Sequence, residues 1–310
     1  MVLGQVVSKA YIAAMPNDDI VAPFSLDSAP VRGRIVRLGA AALDPILRRH
    51  DYPPPVAMLL GEALCLATLV GSLLKAEGRL SVQAQGEGPV PLLVAEYAPG
   101  GALRGYARLG EGAGAALKRA QRLPPKELLG AGNLLITLDQ GDGQPAYQGV
   151  VEINGATLAE CAQNYFHESE QTDTGIALAV GEVITDVDRT WRAGGVLMQR
   201  LAGDAARGDT TEDWRRASIL FATVSDEELI DPALAADRLL YRLFHEEGVR
   251  MSEALALSDT CTCDEGRLSN VLRRFPPNEL QELIEPDGLL HARCQFCSRT
   301  YLISPESVAG

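Results

Sequence analysis

The longest apolar stretch of the chain, Val56–Leu74, predicts a helix. It follows three consecutive prolines, and Glu62 is the one charged residue within it. Nineteen residues are long enough to span a bilayer. However, a carboxylate near the bilayer centre costs roughly 2.5–3.5 kcal/mol. We therefore expect a buried core helix in a soluble protein.

The preceding segment, Arg32–Arg49, has apolar residues at close to helical spacing and contains Pro45. Proline inside a helix bends or ends it. We therefore predict one kinked helix or two shorter ones, with an apolar face made of Ile35, Val36, Leu38, Ala42, Leu43, Ile46 and Leu47.

After residue 78 the pattern changes to short alternating or apolar runs separated by glycine and proline, which is typical of strands. Thr157 with Glu160 three residues later predicts a capped helix over Thr157–Glu168. This irregular mixture does not follow a βαβ alternation and indicates an α+β fold. The predicted strands are Leu80–Gln85, Leu92–Ala95, Asn133–Leu138, Ala146–Ile153 and Ile176–Val183, with a hairpin turn over Asp139–Gly143.

Two amphipathic helices are predicted beyond residue 203, over Thr210–Val224 and Leu234–Phe244, the second starting at Asp231-Pro232. Their apolar positions either pack permanently on the main domain or form a surface that binds a partner under some conditions. The pattern does not separate these two interpretations. The stripes consist of Trp214, Ala217, Leu220, Phe221 and Val224, and of Ala236, Leu239, Leu240, Leu243 and Phe244.

The length of 310 residues predicts about two domains. With 28 basic and 41 acidic side chains the net charge is −13, which disfavours a general nucleic-acid binder. We find no secretory signal pattern near the start, so we expect a reducing, cytoplasmic compartment. Of the six cysteines, Cys65 and Cys161 lie in predicted helices and are interpreted as small core residues.

The other four cysteines, Cys261, Cys263, Cys294 and Cys297, form a CxC and a CxxC pair near the end of the chain. Four thiolates in two close pairs can complete the tetrahedral shell of a structural zinc site. The surrounding segment, Asp259–Gly310, is short and has few large apolar residues, so a metal would stabilise it strongly.

Several functions fit this cysteine pattern. A purely structural zinc ribbon that serves as an interaction scaffold is one, and a thiol–disulfide oxidoreductase using the CxxC pair is another. A third is a redox switch, because the sulfurs within each pair are near enough for local disulfides that would not tie the halves of the segment together. Arg293 and Arg299 flank the second pair and favour ionised sulfurs there.

The cysteine pattern occurs together with further motifs along the chain. These are Arg37-Leu38-Gly39, His50-Asp51-Tyr52-Pro53, Leu59–Leu64, Gly78–Gln83, Tyr165–Gln171, Gly194–Gln199, Leu243–Glu247 and Glu285–Gly288. In this combination the chain resembles the redox-regulated bacterial 33 kDa chaperonin, or heat-shock protein 33, family over its whole length. One departure is Asp264-Glu265 after the CxC pair, where a more basic run is expected. Two carboxylates there are expected to raise the thiol pKa values and slow oxidation.

The resemblance implies an ATP-independent holdase rather than an enzyme. In that family, four cysteines hold zinc in the reduced, inactive state. Oxidation forms Cys261–Cys263 and Cys294–Cys297 disulfides, releases zinc and unfolds the zinc domain with its linker. Exposed apolar surface then binds unfolding client proteins, usually in a homodimer, with no nucleic-acid or membrane partner.

The same resemblance implies three domains. Residues 1–203 would form the α+β domain for client binding and dimerisation, residues 204–258 a helical redox-sensitive linker, and residues 259–310 the zinc domain. The linker candidates for client binding are Trp214, Leu220, Phe221, Leu239, Leu240, Leu243 and Phe244.

Overall fold

The computed structural model describes residues 18–74, 78–120, 122–140, 145–184, 189–201 and 208–308. The strands are β1 Ile20–Leu26, β2 Val31–Leu38, β3 Arg79–Gly86, β4 Leu92–Ala98, β5 Ala102–Arg108, β6 Gly132–Asp139, β7 Tyr147–Glu152, β8 Thr174–Ile184, β9 Arg189–Arg200, β10 Val249–Met251, β11 Leu255–Ala256, β12 Ser258–Asp259, β13 Leu290–Arg293 and β14 Thr300–Ile303. The helices are α1 Asp44–Arg48, α2 Pro54–Gly71, α3 Ala113–Leu117, α4 Pro125–Leu129, α5 Leu158–Glu168, α6 Thr211–Phe221, α7 Asp226–Ile230, α8 Ala236–Phe244, α9 Glu265–Leu272, α10 Pro277–Glu282 and α11 Pro305–Val308.

Two mainly antiparallel sheets form the body of the protein, which confirms the α+β class. The first sheet has the order β10-β1-β2-β9-β8, with β11 also paired to β1. The second sheet has the order β12-β5-β4-β3-β6-β7, in which only the β12–β5 pair is parallel among the described strands. All five predicted strands are confirmed. The predicted hairpin turn lies partly outside the described residues, but its flanking strands β6 and β7 pair as expected.

Helix α2 lies between the two sheets and packs against strands of both. Pro54 and Pro55 occupy its first turn, where a missing N–H costs no helical hydrogen bond. Among the described helices, α2 is long and apolar enough to cross a membrane. However, 89% of its apolar 18-residue stretch is buried inside the protein. The prediction of a core helix is therefore confirmed.

The helix predicted over Arg32–Arg49 is wrong in its first half, which is strand β2, followed by the short helix α1. Strand β2 is buried on both faces, since α2 packs on one side and α8 on the other. Its last four residues are all buried, so the alternation that marks a strand is absent from the sequence. Continuous apolar runs do not separate a strand from a buried helix.

Helices α6, α7 and α8 cover the face of the first sheet that α2 leaves open. Phe244 of α8 is fully buried and stacks on Phe24 of β1 with ring centroids 5.9 Å apart. The second predicted helix starts at Ala236 rather than at Asp231-Pro232, because Asp231 accepts hydrogen bonds that form a separate turn. In this structure the two apolar stripes therefore pack on the main domain. Their use as a client surface stays a prediction.

Arginines of the first sheet hold helix α7 at its C-terminal end. The fully buried Arg37 donates to the carbonyl oxygens of Glu228, at 3.1 Å, and of Asp231. Arg192 donates to the carbonyl oxygen of Ile230 at 2.7 Å. A Cβ at Gly194 would lie 2.0 Å from the Leu229 carbonyl oxygen, so only glycine permits this close approach. These contacts fasten α7 to the first sheet through its backbone.

The capped helix α5 follows its predicted pattern. The Thr157 hydroxyl accepts from the Glu160 amide at 3.1 Å, and the Glu160 carboxylate accepts from the Ala156 amide at 2.6 Å. Cys161 on this helix and Cys65 on α2 are both fully buried, which confirms their interpretation as core residues.

Glu62 of α2 predicts a specific pH dependence of stability. Burial raises the pKa of its carboxyl to about 7, although Arg122, which also pairs with Asp226, partly opposes the shift. A raised folded-state pKa contributes stability that is fully present below the unfolded value and is lost as pH rises through the folded value. We expect Glu62→Gln to remove this loss, so that its stability relative to wild type increases by as much as about 3 kcal/mol between about pH 5 and pH 8.

Urea unfolding of both proteins across this pH range would measure the effect. The exposed Glu127 of α4 provides a control, because Glu127→Gln should follow the wild-type curve. A constant difference between wild type and Glu62→Gln over the range would contradict the burial argument.

Candidate metal centre

Residues 259–308 form a small unit of helices α9–α11 and the hairpin β13–β14, here called the tail. Cys261 and Cys263 follow strand β12, and Cys294 and Cys297 lie in the hairpin turn. The turn closes through hydrogen bonds from the Cys294 amide to the Arg299 carbonyl and from the Ser298 amide to the Cys294 carbonyl, both 2.9 Å. Ser298 adopts φ 59°, a left-handed conformation that reverses the chain there.

The structure brings all four sulfur atoms together. Each Sγ lies within 4.8 Å of the others; the Cys261 and Cys294 sulfurs are 3.8 Å apart, and the Cys263 and Cys297 sulfurs are 3.3 Å apart. Zinc–sulfur bonds of about 2.3 Å in a tetrahedron place sulfurs about 3.8 Å apart. The four cysteines predicted as ligands thus form a group that can hold a metal ion, and a thiolate set of this kind suits zinc.

Neighbouring groups favour an ionised sulfur at Cys263. Burial raises the pKa of this thiol, but hydrogen bonds from Tyr301 and from the other three cysteines outweigh it and lower the pKa to about 7. The Tyr301 hydroxyl lies 3.3 Å from this sulfur. The Asp264 carboxylate caps α9, accepting from the Arg267 amide at 2.8 Å, and the predicted effect of Asp264 and Glu265 on the thiol pKa values stays a prediction. Burial raises the pKa values of the Cys261 and Cys297 thiols, so among these three sulfurs only Cys263 is shifted toward the ionised form.

Two arginines lie near the sulfurs, and sequence analysis identified one of them. Arg299 interacts favourably with Cys297 and Cys263. However, burial raises the pKa of the Cys297 thiol to about 12, so the prediction of an ionised sulfur in the second pair is wrong at Cys297. Arg104 of β5 was missed, yet its Nη1 lies 3.8 Å from Cys261 Sγ. No signal near the cysteines points to Arg104, since it is more than 150 residues earlier in the chain. Tyr301, four residues after Cys297, was also missed.

The tail has little apolar core of its own. Only Leu290, Ile303 and Val308 form its buried hydrophobic cluster among the residues that the structure describes, with partly buried neighbours around them. Val271, Phe275, Leu283 and Leu302 are exposed. A unit of this size with so small a core needs a cross-link, such as a bound metal ion, to stay folded. The sulfur cluster joins the two halves of the tail and is the natural position for such a cross-link.

Comparison with known proteins places this fold and cluster in one family. The family described as Hsp33 protein matches residues 19–304. The chain belongs to the Hsp33 family. A relative from Caulobacter vibrioides, named 33 kDa chaperonin, is 51% identical over 289 residues, covering 93% of this chain and 95% of the relative. A 33 kDa chaperonin from Escherichia coli is 34% identical over 296 residues, with 95% of each covered.

A solved structure supports the fold of this Hsp33 family member. The crystal structure of a 33 kDa chaperonin from Thermotoga maritima matches with a TM-score of 0.74 and 21% identity, covering 94% of this chain and 96% of that one. The names of the relatives support a chaperone role for the family and not an enzymatic one.

The family motif Tyr165–Gln171 has a structural role here. The hydroxyls of Tyr165 and Tyr147 each donate to the Glu170 carboxylate at 2.7 Å, while Ser169 ends α5. Gln171 then reverses the chain with φ 50°. These contacts fix the connection between the end of α5 and the start of β8.

Proposed function

We propose that this protein is a redox-regulated, ATP-independent holdase of the cytoplasm that binds unfolding client proteins during oxidative stress. The single observation that carries the proposal is the group of four cysteine sulfurs, drawn from both halves of a tail that has almost no core. Membership of the Hsp33 family supports the chaperone part. The redox and zinc parts rest on the chemistry of the thiols.

In the reduced state Cys261, Cys263, Cys294 and Cys297 would hold zinc. When bound, zinc supplies a cross-link whose apparent binding energy, about 10–16 kcal/mol in small zinc-binding peptides, becomes folding energy of the tail. Folding of the tail positions β12 beside β5 and orders the chain that leads to it.

Oxidation would convert the cysteines to two local disulfides, Cys261–Cys263 and Cys294–Cys297. Each disulfide forms as two thiols give two electrons and two protons to one peroxide, which leaves as two waters. Both bonds close very short loops, so neither joins the first half of the tail to the second. The four cysteines would then no longer be able to hold zinc, and the small core alone would not keep the tail folded.

Loss of the tail would then loosen the linker, because strands β10–β12 connect the two. These strands are two or three residues long and depend on neighbours for their position. Release of α6 and α8 from the first sheet would expose the predicted client residues: Trp214, Leu220, Phe221, Leu239, Leu240, Leu243 and Phe244. The sheet face beneath them becomes available at the same time, and two activated copies would form the homodimer.

The proposal is tested by measuring zinc content, free thiols and suppression of aggregation of a heat-unfolding client, such as malate dehydrogenase, on reduced and peroxide-treated protein. We expect one zinc ion and no suppression when reduced, and four fewer free thiols, no zinc and suppression when oxidised. Equal suppression by both forms would identify a constitutive scaffold instead. Catalytic turnover of a model disulfide would identify an oxidoreductase.

A further inference from the structure

The aromatic residue between the two cysteines of the hairpin turn, Phe296, is held by the main domain. The Arg104 guanidinium lies over its ring, 4.2 Å from the centroid. The Tyr106 ring meets it edge-on at 6.5 Å, and Arg49 donates to its carbonyl oxygen at 2.9 Å. We call the site formed by Arg49, His50, Arg104 and Tyr106 the Phe296 socket.

Contacts within the main domain support the socket residues. Glu96 of the neighbouring strand accepts from Arg104 at 2.6 Å and fixes the guanidinium in place. The His50 ring packs between Tyr52 and Tyr106, at 5.3 and 5.4 Å, and its buried Nε2 has no hydrogen-bond partner in the structure. A rigid aromatic wall below a fixed cation is the geometry that binds aromatic rings.

The tail also presents negative charge to the socket, since Asp259 forms an ion pair with Arg49. Arg79 of β3 lies beside the same region and donates to the Thr262 hydroxyl at 3.2 Å. Glu96 pairs with Arg79 and Arg104, so the three arginines leave a local excess of positive charge on a chain with a net charge of −13. The segment that it holds therefore combines an aromatic ring with a carboxylate.

An apolar row continues from the socket across the second sheet. Gly105 faces Leu60 and Leu64 of α2, so its neighbours Arg104 and Tyr106 lie on the opposite, solvent-facing side. Strand register then places Tyr106 opposite Val94, and Leu135 opposite Val150, with Gln83 between the two pairs. Val150 is 54% exposed, and the row ends at β7, the last strand of the sheet. The side chains of this row are available as apolar contacts for an extended segment bound at the socket.

We propose that the Phe296 socket and this row form a client-binding site that the reduced tail occupies as an internal competitor. The partner that it fits is an unfolded segment with an aromatic residue next to acidic ones, since that chemistry repeats what Phe296 and Asp259 present. The inference rests on the proposed function and adds a second client surface, distant in the chain from α6 and α8. Release of the tail then frees the site directly, by removing its occupant.

The test uses full-length protein and a short fluorescein-labelled peptide in which phenylalanine alternates with aspartate. We expect peroxide-treated wild type to bind the peptide, and reduced, zinc-loaded wild type to bind it at least about tenfold more weakly. In the oxidised form, Arg104→Ala should weaken binding about 5- to 10-fold. Arg108→Ala is the matched control, because Arg108 is exposed on the same face of the same strand.

Phe296→Ala tests the same contact by removing the side chain with which the tail occupies the socket. With zinc still bound, reduced Phe296→Ala should bind the peptide more tightly than reduced wild type, and after oxidation no more weakly than wild type. If the contact between Arg104 and Phe296 only holds the tail in place, both variants should bind the peptide as tightly as wild type once they are oxidised. That outcome would overturn the proposal.

Further controls separate this inference from the proposed function. A peptide with serine in place of phenylalanine should bind poorly to every form, and equal binding of both peptides would also contradict an aromatic site. If oxidised wild type fails to suppress client aggregation, the holdase itself is wrong. If it suppresses aggregation and Arg104→Ala binds the peptide as wild type does, only the socket proposal fails.

Discussion

Serine in place of Cys294 should give a protein that is active as a holdase in reducing buffer. Cys294 is buried and its sulfur lies 3.8 Å from that of Cys261, so it joins the two halves of the tail. A serine hydroxyl is a poor zinc ligand compared with a thiolate. Without the fourth ligand the tail retains a core of three buried residues, which we expect to unfold.

Zinc content, limited proteolysis and suppression of client aggregation, all measured with a thiol reductant present, would check this result. The variant cannot form the Cys294–Cys297 disulfide, so activity would show that loss of the metal cross-link is sufficient. Cys161→Ala removes a cysteine outside the tail and should leave zinc content and the inactive state unchanged. A protease-resistant, inactive Cys294→Ser protein would argue against a metal-dependent tail.

Alanine in place of Phe244 should loosen the linker while the metal site stays intact. Phe244 is fully buried in α8 and stacks on Phe24 of β1. Removing a buried phenylalanine side chain costs about 3–5 kcal/mol. This loss of stabilisation weakens the packing of α6–α8 on the first sheet. Local unfolding of these helices needs less free energy than global unfolding. We therefore expect a reduced, zinc-loaded protein that binds clients.

Hydrogen exchange of α6–α8, together with zinc content and client binding, would measure the effect. Tyr241, on the same helix, is 60% exposed, so Tyr241→Ala removes an aromatic ring of similar size without opening the core. Faster exchange in α6–α8 of Phe244→Ala with no client binding would show that the client surface lies elsewhere than under the linker.

The parts of the fold predicted correctly from the sequence are those with strong local signals. Helix α2 has a long apolar run with prolines at its start, and α5 has a capping pattern that the hydrogen bonds reproduce. The strands of the second sheet alternate between buried and half-exposed positions, because one face packs on α2 and the other does not. The spacing of the four cysteines alone also predicted that they form one group.

What the sequence did not predict depends on contacts between distant segments. Strand β2 lacks the alternation of a half-exposed strand because α8 covers its second face, and that contact is visible only in three dimensions. Arg104 contacts Cys261 and Phe296 across more than 150 residues, and nothing in its local sequence distinguishes it from other arginines. Strands β11 and β12 have two residues each, too few to form a pattern.

These very short strands determine how the two sheets are terminated. Strands β10 and β11 cover the outer side of β1, and β12 covers part of the outer side of β5. If the linker and tail are released together, β1 and β5 become edge strands with unpaired N–H and C=O groups. Such edges bind any extended chain by strand addition, through main-chain hydrogen bonds. Recognition of this kind ignores side-chain identity, and it would give an activated chaperone clients that share no sequence.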